Sequence, residues 1–216
     1  MEFNYSTSSK LYSLEFAQSA NVQGHMGSWE QRVFMQHIGA TSTCAVEIGA
    51  WHGLSSVLVG KGMQGTGRYY CIDTYEASNV ELKHERTLES WLASITKYGL
   101  QSTCIPIVGW SFEPDVLAQV PSNLDFVYID GDHTPCSVIL DALLYRDKLR
   151  PGGLLLFHDS TWQSVKTGQQ WLIDRNYMRP KSFWDDFGVF LNLLEKTNPV
   201  ETAEMLAKVK ATLGRV

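Results

Sequence analysis

No cluster of lysines and arginines occurs in this chain of 216 residues; 18 basic side chains are scattered among 23 acidic ones, for a formal net charge of −5. That balance excludes a nucleic-acid surface built on phosphate neutralisation. No apolar run approaches the roughly 18 residues that a membrane span requires. The four cysteines, Cys44, Cys71, Cys104 and Cys136, lack the close spacing of a zinc site. Most sit beside apolar, strand-like runs, so they read as reduced, packed thiols rather than disulfides or ligands. Met1–Ser9 has neither the basic nor the apolar region of a secretory signal. The expectation is a soluble, cytoplasmic protein with no nucleic-acid and no membrane partner.

What is present is an ordinary globular composition, 44% hydrophobic and 19% charged, enough for one full-sized core. Short β-rich runs alternate with helical patterns, which argues for an α/β fold: a doubly wound, mainly parallel seven-stranded sheet with an antiparallel edge pair. Strands are expected at Cys44–Ile48, Arg68–Ile72, Ser102–Val108, Leu124–Ile129 and Gly153–Phe157, with Pro151-Gly152-Gly153 turning the chain into the last of these. Phe187–Leu194 and a partner near Met178–Phe183 would form the edge pair. Helices are expected near Leu54–Val59, Val80–Tyr98 and Pro114–Gln119, with Leu88, Trp91, Leu92 and Ile95 sharing a face of the second. Thr134 caps the clearest helix, Pro135 opens it, and Val138, Ile139, Ala142 and Leu143 form its apolar stripe. Asn198-Pro199 starts a terminal helix with Leu206, Val209 and Leu213 on one face. The domains so drawn are a helical extension over 1–40 contacting through Trp29, Val33 and Phe34, a central domain over 41–195, and a terminal helix over 196–216.

The most informative segment is Cys44-Ala-Val-Glu-Ile-Gly-Ala-Trp-His-Gly-Leu-Ser-Ser56, followed by Tyr70-Cys-Ile-Asp73. It reads as strand, glycine turn, helix, strand and a closing carboxylate. Asp73 lies 24 positions beyond Gly49, the distance that brings a carboxylate to a nucleotide ribose. The dinucleotide glycine pattern is missing: Trp51 and His52 stand where a pyrophosphate needs bare backbone. A nucleoside without phosphates fits better, and S-adenosylmethionine is the obvious one. A literal G-x-G-x-x-G does occur at Gly60–Gly65, but the next strand starts too soon for a phosphate-binding helix. It reads as the turn at the end of the sheet away from the ligand.

Ligands of parallel sheets collect beyond the carboxyl ends of the strands. Those ends here carry Glu47 and Gly49, Asp73, Gly109-Trp110-Ser111, Asp130-Gly131-Asp132-His133, and His158-Asp159-Ser160. Each has a bland explanation; Asp132 could simply cap a turn. Their gathering on one rim points to a site.

Val46-Glu-Ile-Gly with Gly53-x-Ser55, Cys71-Ile-Asp73, Phe126–His133, and Leu149-Arg-Pro-Gly-Gly with Phe157-His-Asp159 together resemble the class I S-adenosylmethionine-dependent methyltransferases. Within them, the likeness is to the branch of the macrolide-sugar and cephalosporin-pathway O-methyltransferases. It covers roughly residues 22–195. The resemblance implies that Glu47, Gly49, Ser55 and Ser56 lie by the methionine part of the cofactor, with Asp73 on the ribose, Trp110 and Ser111 beside adenine, and Asp130 at the reacting end. It further implies that Asp130, His158 and Asp159 hold Mg²⁺ or Mn²⁺ and that His133 is the base. A histidine at 158 departs from the family's acidic pair. Magnesium prefers oxygen, so His158 either stays off the ion or shifts its preference toward Mn²⁺, Fe²⁺ or Zn²⁺.

Methyl transfer from a sulfonium needs an acceptor oxygen held in line with a proton acceptor beside it. His133 suits that role, and the helix beginning at Pro135 should disfavour its imidazolium form. The acceptor is expected to be a hydroxyl of a small molecule such as a sugar or polyketide, with Trp51, Trp110 and Trp162 available as flat apolar faces. Residues 160–176 read either as a lid over the acceptor or as an ordinary helix and loop. Two other readings stay open: a non-catalytic binding protein on this fold, and a nicotinamide-dependent reductase. Neither a monomer nor a homo-oligomer is excluded.

Overall fold

A strand covered on both faces has no polar side, and β1 (Cys44–Ile48) meets that demand with Ala45, Val46, Glu47 and Ile48 all buried. In this computed structural model the described residues are 14–77, 85–184, 186–193 and 197–214. The remaining strands are β2 (Arg68–Asp73), β3 (Glu76–Ala77), β4 (Glu85–Arg86), β5 (Cys104–Val108), β6 (Leu124–Ile129), β7 (Leu149–Phe157), β8 (Met178–Trp184) and β9 (Phe187–Asn192). The helices are α1 (Leu14–Ser19), α2 (Trp29–Ala40), α3 (Leu54–Met63), α4 (Leu88–Lys97), α5 (Pro114–Gln119), α6 (Pro135–Arg146), α7 (Gln163–Asp174) and α8 (Pro199–Thr212). The seven-stranded sheet has the order β5-β2-β1-β6-β7-β9-β8, and β3-β4 form a separate hairpin. The mainly parallel sheet with an antiparallel edge pair is thus the expected one. Among the described residues no helix is long and apolar enough to cross a membrane.

The chain divides into two compact units, Met1–Gly109 and Trp110–Val216. In the first, β2 lies parallel to both β1 and β5, with Ile48 opposite Ile72 and Asp73 opposite Val108. Helices α2 and α3 pack at backbone distance. A Cβ on Gly62 would come within 2.0 Å of the Gln36 carbonyl, and one on Gly39 within 2.3 Å of the Val59 carbonyl. The glycine run at 60–65 is therefore partly a helix-packing device, with Gly60 and Gly62 inside α3. Only its end, with Gln64 and Gly65 at φ of 51° and 77°, turns toward β2.

In the second unit β6 and β7 are parallel, and β9 is antiparallel to β7 and to β8. The buried Arg146 guanidinium ties the end of α6 to Asn192, Thr197 and the carbonyls of Tyr177 and Leu193. A buried cation is tolerable only when its donors are so met.

Several expectations need correction. Pro151-Gly-Gly153 is not a turn before β7 but an irregularity within it, where the pairing jumps from Leu124–Leu149 to Phe126–Leu154. β5 starts at Cys104 because the amides of Thr103 and Cys104 both bond the Leu100 carbonyl in a turn. The long helix expected from Val80 begins only at Leu88; part of its start lies outside the described residues, and Glu85–Arg86 is a strand. Leu92 is exposed and Leu88 half-buried, leaving Trp91 and Ile95 as the buried face. Trp29 is likewise exposed, whereas Val33 and Phe34 are buried. In α8 the buried pair is Met205 and Val209, with Leu206 and Leu213 half-buried. Residues 163–174 form the ordinary helix alternative, α7. The boundary drawn at 195–196 and the start of the N-terminal extension lie outside the described residues. The four cysteines are thiols outside any disulfide, two buried and two half-buried.

Gly62→Ala tests the helix contact with the sign worked out. In a helix interior alanine is favoured over glycine by about 1 kcal/mol, but overpacking against a backbone carbonyl costs about 1–3 kcal/mol or more. The contact wins, so thermal denaturation should show a lowered Tm. Gly27→Ala, which meets nothing within 4 Å, should leave Tm unchanged.

Candidate active site

The loop from β1 to α3 is shaped by three residues of positive φ: Gly49 at 94°, Trp51 at 44° and Gly53 at 93°. Glycine takes that conformation freely; tryptophan does not. Trp51 is held there because its N–H donates to Asp73 Oδ2 at 2.8 Å. The other oxygen, Oδ1, accepts at 2.7 Å from the N–H of Tyr75, which is itself left-handed at φ 53°. Burial raises the Asp73 pKa while those two backbone bonds pull it down. On the outer side, the His25 ring stacks on Trp51 with centroids 4.6 Å apart. His52 is buried, with Nδ1 at 2.5 Å from Ser90 Oγ.

Glu47 is fully buried, and its carboxyl is turned onto neighbouring hydroxyls. Ser56 donates to Oε1, Tyr69 donates to Oε2 at 3.1 Å, and Ser55 also bonds the carboxyl. Burial pushes its pKa up to about 7 against the pull of these donors. The Trp91 indole N–H donates to Ser56 Oγ at 2.9 Å. Glu47, Ser55 and Ser56, expected beside the methionine part of the cofactor, are thus brought together around one buried carboxyl.

In the second unit, Asp130 follows β6 and His158-Asp159 follow β7. His158 Nδ1 lies 3.1 Å from Asp130 Oδ1 and 3.2 Å from Asp159 Oδ2. His133 Nε2 lies 2.7 Å from Asp159 Oδ2 and 3.7 Å from Asp130 Oδ1. Tyr128 donates to Asp130 Oδ2 at 3.1 Å. Asp159 adopts φ 48°, which turns the chain back after the strand. The four expected residues therefore converge. The His133 ring also lies against Trp162, centroids 5.0 Å apart, and Trp162 is 53% exposed.

The electrostatics correct one expectation. His133 is not held neutral by the start of α6: its bonds to Asp130 and Asp159 raise its pKa to about 9, against an opposing effect of burial. For His158, burial lowers the pKa but the charge of Asp130 and the bonds to both carboxylates prevail, raising it to about 10. Burial raises the two carboxyls, but the imidazoles overcome it and hold Asp130 and Asp159 below the usual carboxylate range. Asp132 takes the bland role foreseen for it, accepting from Thr134 and Ser137 at the entry to α6. Asp130, His133 and Asp159 offer donor atoms within 4.8 Å of one another, as do His158, Asp159 and Asp186.

Trp110 and Ser111 sit after β5. Trp110 N–H donates to Glu113 at 3.0 Å, and its ring stacks on Phe112. Ser111 Oγ donates to Asp141 Oδ1 at 2.5 Å, and its carbonyl accepts from Tyr145 at 2.8 Å. Sequence reasoning missed Asp141 and Tyr128. A carboxylate beside the apolar stripe of α6, and a tyrosine two positions before Asp130 on the same strand face, were the available signals.

A parallel sheet with polar residues at its strand ends and a His–Asp cluster defines a Rossmann-like enzyme architecture. A family model described as "Methyltransferase domain" matches residues 46–160, a little over half of the chain. The chain belongs to that methyltransferase family. Among solved structures it is similar to the cofactor-bound protein Rv0187 from MTB, at 16% identity and TM-score 0.65 over 83% of this chain and 87% of that one. An O-methyltransferase from Bacillus cereus in complex with SAH matches at 18% identity and TM-score 0.63, over 83% and 88%. The O-methyltransferase TomG from Streptomyces achromogenes, involved in tomaymycin synthesis and solved with SAM, matches at 18% identity and TM-score 0.63, over 83% and 88%. No curated protein matches the chain.

The cluster makes stability depend on pH with a definite sign. A histidine whose pKa is raised on folding stabilises fully below its unfolded value and loses that contribution as pH rises through the folded value. With His133 near 9 and His158 near 10, Tm should fall between pH about 7 and 10.5. His158→Gln should flatten that slope in calorimetric scans; an unchanged slope would remove His158 from the cluster's charge balance.

Proposed function

We propose that this chain transfers the methyl group of S-adenosylmethionine to a hydroxyl oxygen of a small-molecule acceptor, with His133 as the base. The observation that carries this reading is the convergence of His133, Asp130 and Asp159 beside the exposed ring of Trp162 in a member of the methyltransferase family. Two of the similar structures are named as O-methyltransferases and hold SAM or SAH.

The roles divide as follows. Gly49 lets the turn approach the methionine part of the cofactor, and Glu47 with Ser55 and Ser56 keeps that turn in place. Asp73, oriented by backbone N–H groups on both carboxylate oxygens, takes the ribose hydroxyls. Trp110 and Ser111 take the adenine, and Asp130 stands at the reacting end. Trp162 offers a flat face against which an acceptor is oriented. His133 Nε2 faces Asp159, so its other ring nitrogen receives the acceptor's hydroxyl proton as the oxygen displaces the sulfonium in line. Asp159 and Asp130 stabilise the imidazolium so formed.

The donor set at the cluster fits a divalent cation. Carboxylate oxygens of Asp130 and Asp159 lie within 4.8 Å of each other and of the His133 ring, and His158 faces the same two carboxylates. Mixed oxygen and nitrogen donors favour Mn²⁺, Fe²⁺ or Zn²⁺ over Mg²⁺. A cation held by Asp130 and Asp159 with His158 would acidify the acceptor hydroxyl and fix its direction.

His133→Ala should keep the fold and the affinity for adenosylmethionine while lowering kcat about 10²–10⁴-fold. The wild-type rate should rise with pH through the titration of His133, and the variant should lack that limb. A loss under about tenfold with an unchanged pH profile would assign proton removal elsewhere. Dialysis against EDTA should separately abolish turnover, with Mn²⁺ restoring it better than Mg²⁺. Full activity after rigorous chelation would leave the base without a cation.

A further inference from the structure

We propose that Asp141 fixes the hydrogen-bond polarity of Ser111, so that the chain accepts a 6-aminopurine nucleoside and rejects the 6-oxo equivalent. The inference rests on the reading that places Ser111 beside the adenine.

A serine hydroxyl has one proton and two lone pairs, and it ordinarily rotates to give or take as its ligand requires. Ser111 is not free to do so. While Asp141 is ionised, the serine proton points to Asp141 Oδ1 at 2.5 Å, which leaves the oxygen as an acceptor only. The exocyclic amino group of adenine is a donor and matches it; the oxo group of hypoxanthine is an acceptor and sets two lone-pair atoms against each other. Asp141 is 4% exposed, so water cannot readily take over the hydroxyl proton. The same helix holds Ser111 a second time, because Tyr145 donates to its carbonyl at 2.8 Å. Asp141 and Tyr145 are four residues apart, hence on one face of α6. One fixes the direction of the side-chain hydroxyl, the other the position of the backbone.

A carboxylate in this place has no packing rationale. It is buried beside the apolar stripe of Val138, Ile139, Ala142 and Leu143. Its burial, with the charge of Asp132 adding to the effect, pushes its pKa up to about 7. A group that unfavourable in a helix core is explained by what it does to the hydroxyl it grips.

The test is calorimetric titration of the full chain with S-adenosylhomocysteine and S-inosylhomocysteine, at about pH 8.5 so that the Asp141 carboxyl is ionised. Wild type should prefer the adenosyl compound by about 10–100-fold, the cost of an unmatched buried hydrogen-bonding group. Asp141→Ala frees the hydroxyl to turn, and the preference should fall to about threefold or less. Asp141→Leu, which fills the space, should do the same if the alanine variant does not fold. Tyr145→Phe should weaken both ligands alike and keep their ratio, since it disturbs position and not polarity. Ser111→Ala should lose the preference. Retention of the full ratio in Asp141→Ala, with its loss in Ser111→Ala, would overturn the role of Asp141 alone. An equal fall of the ratio in Asp141→Ala and Tyr145→Phe would also overturn it, as an effect of loop position. A Ser111→Ala variant with both affinities unchanged would instead overturn the placement of Ser111 at the adenine. Wild type binding neither nucleoside would overturn the methyltransferase reading itself.

Discussion

The carboxylate of Asp73 restrains the first unit's candidate site. It bonds two backbone amides, those of Trp51 and Tyr75, and both residues are left-handed. A non-glycine residue in that conformation costs roughly 1–2 kcal/mol, and a hydrogen bond to a charged group returns about 1.5–3 kcal/mol. The two terms are close enough that neither loop would keep its shape without the carboxylate. The parallel register makes this possible: Ile48 lies opposite Ile72 and the Gly49 N–H bonds the Ile72 carbonyl, so Asp73 stands beside the turn it restrains. The close packing of α3 on α2 through Gly39 and Gly62 then fixes the helix that the turn feeds.

In the second unit the restraint is charge rather than backbone strain. Two imidazoles and two carboxylates lie within hydrogen-bonding reach, and each pair stabilises the ionised form of the other. The start of α6 opposes an imidazolium at His133 by about 0.3–1 kcal/mol. Asp159 at 2.7 Å and Asp130 at 3.7 Å outweigh that within a half-buried environment, where Coulomb interactions are stronger than in water. A proton acceptor built this way is held at high basicity. It removes a proton from an alcohol more readily once deprotonated, and a smaller fraction of it is ready at neutral pH.

The sheet strands were legible as strands because β1, β6 and the second half of β7 are apolar runs bounded by glycine or polar residues. Thr134-Pro135 and Asn198-Pro199 signal helix starts by cap chemistry alone, and both are met in α6 and α8. The hairpin of Glu76–Ala77 with Glu85–Arg86 was not legible, since two-residue strands carry no periodicity. The irregularity at Pro151–Gly153 read as a turn because its residues are turn residues; only pairing with β6 shows that the strand continues across it. At the site, the converging residue types could be read from the strand ends. Their protonation could not: the distance from His133 to Asp159 depends on the left-handed turn at Asp159, which nothing in His158-Asp159-Ser160 announces.

Both units also repeat one arrangement that sequence pattern treats as an error, a carboxylate buried in the core behind a serine. Glu47 stands behind Ser55 and Ser56, and Asp141 behind Ser111. Burial raises each carboxyl to about 7, which measures how poorly these places suit a charge. An apolar residue of the same volume would serve packing better. What an apolar residue cannot do is hold a hydroxyl proton in one direction. A hydroxyl so held meets a ligand with its orientation already settled, and the entropy of ordering it has been spent in folding rather than in binding. On the proposed placement of Ser111, Asp141 acts in recognition one step removed from the ligand, whereas Glu47 stands behind the fully buried Ser56 and orders the turn instead.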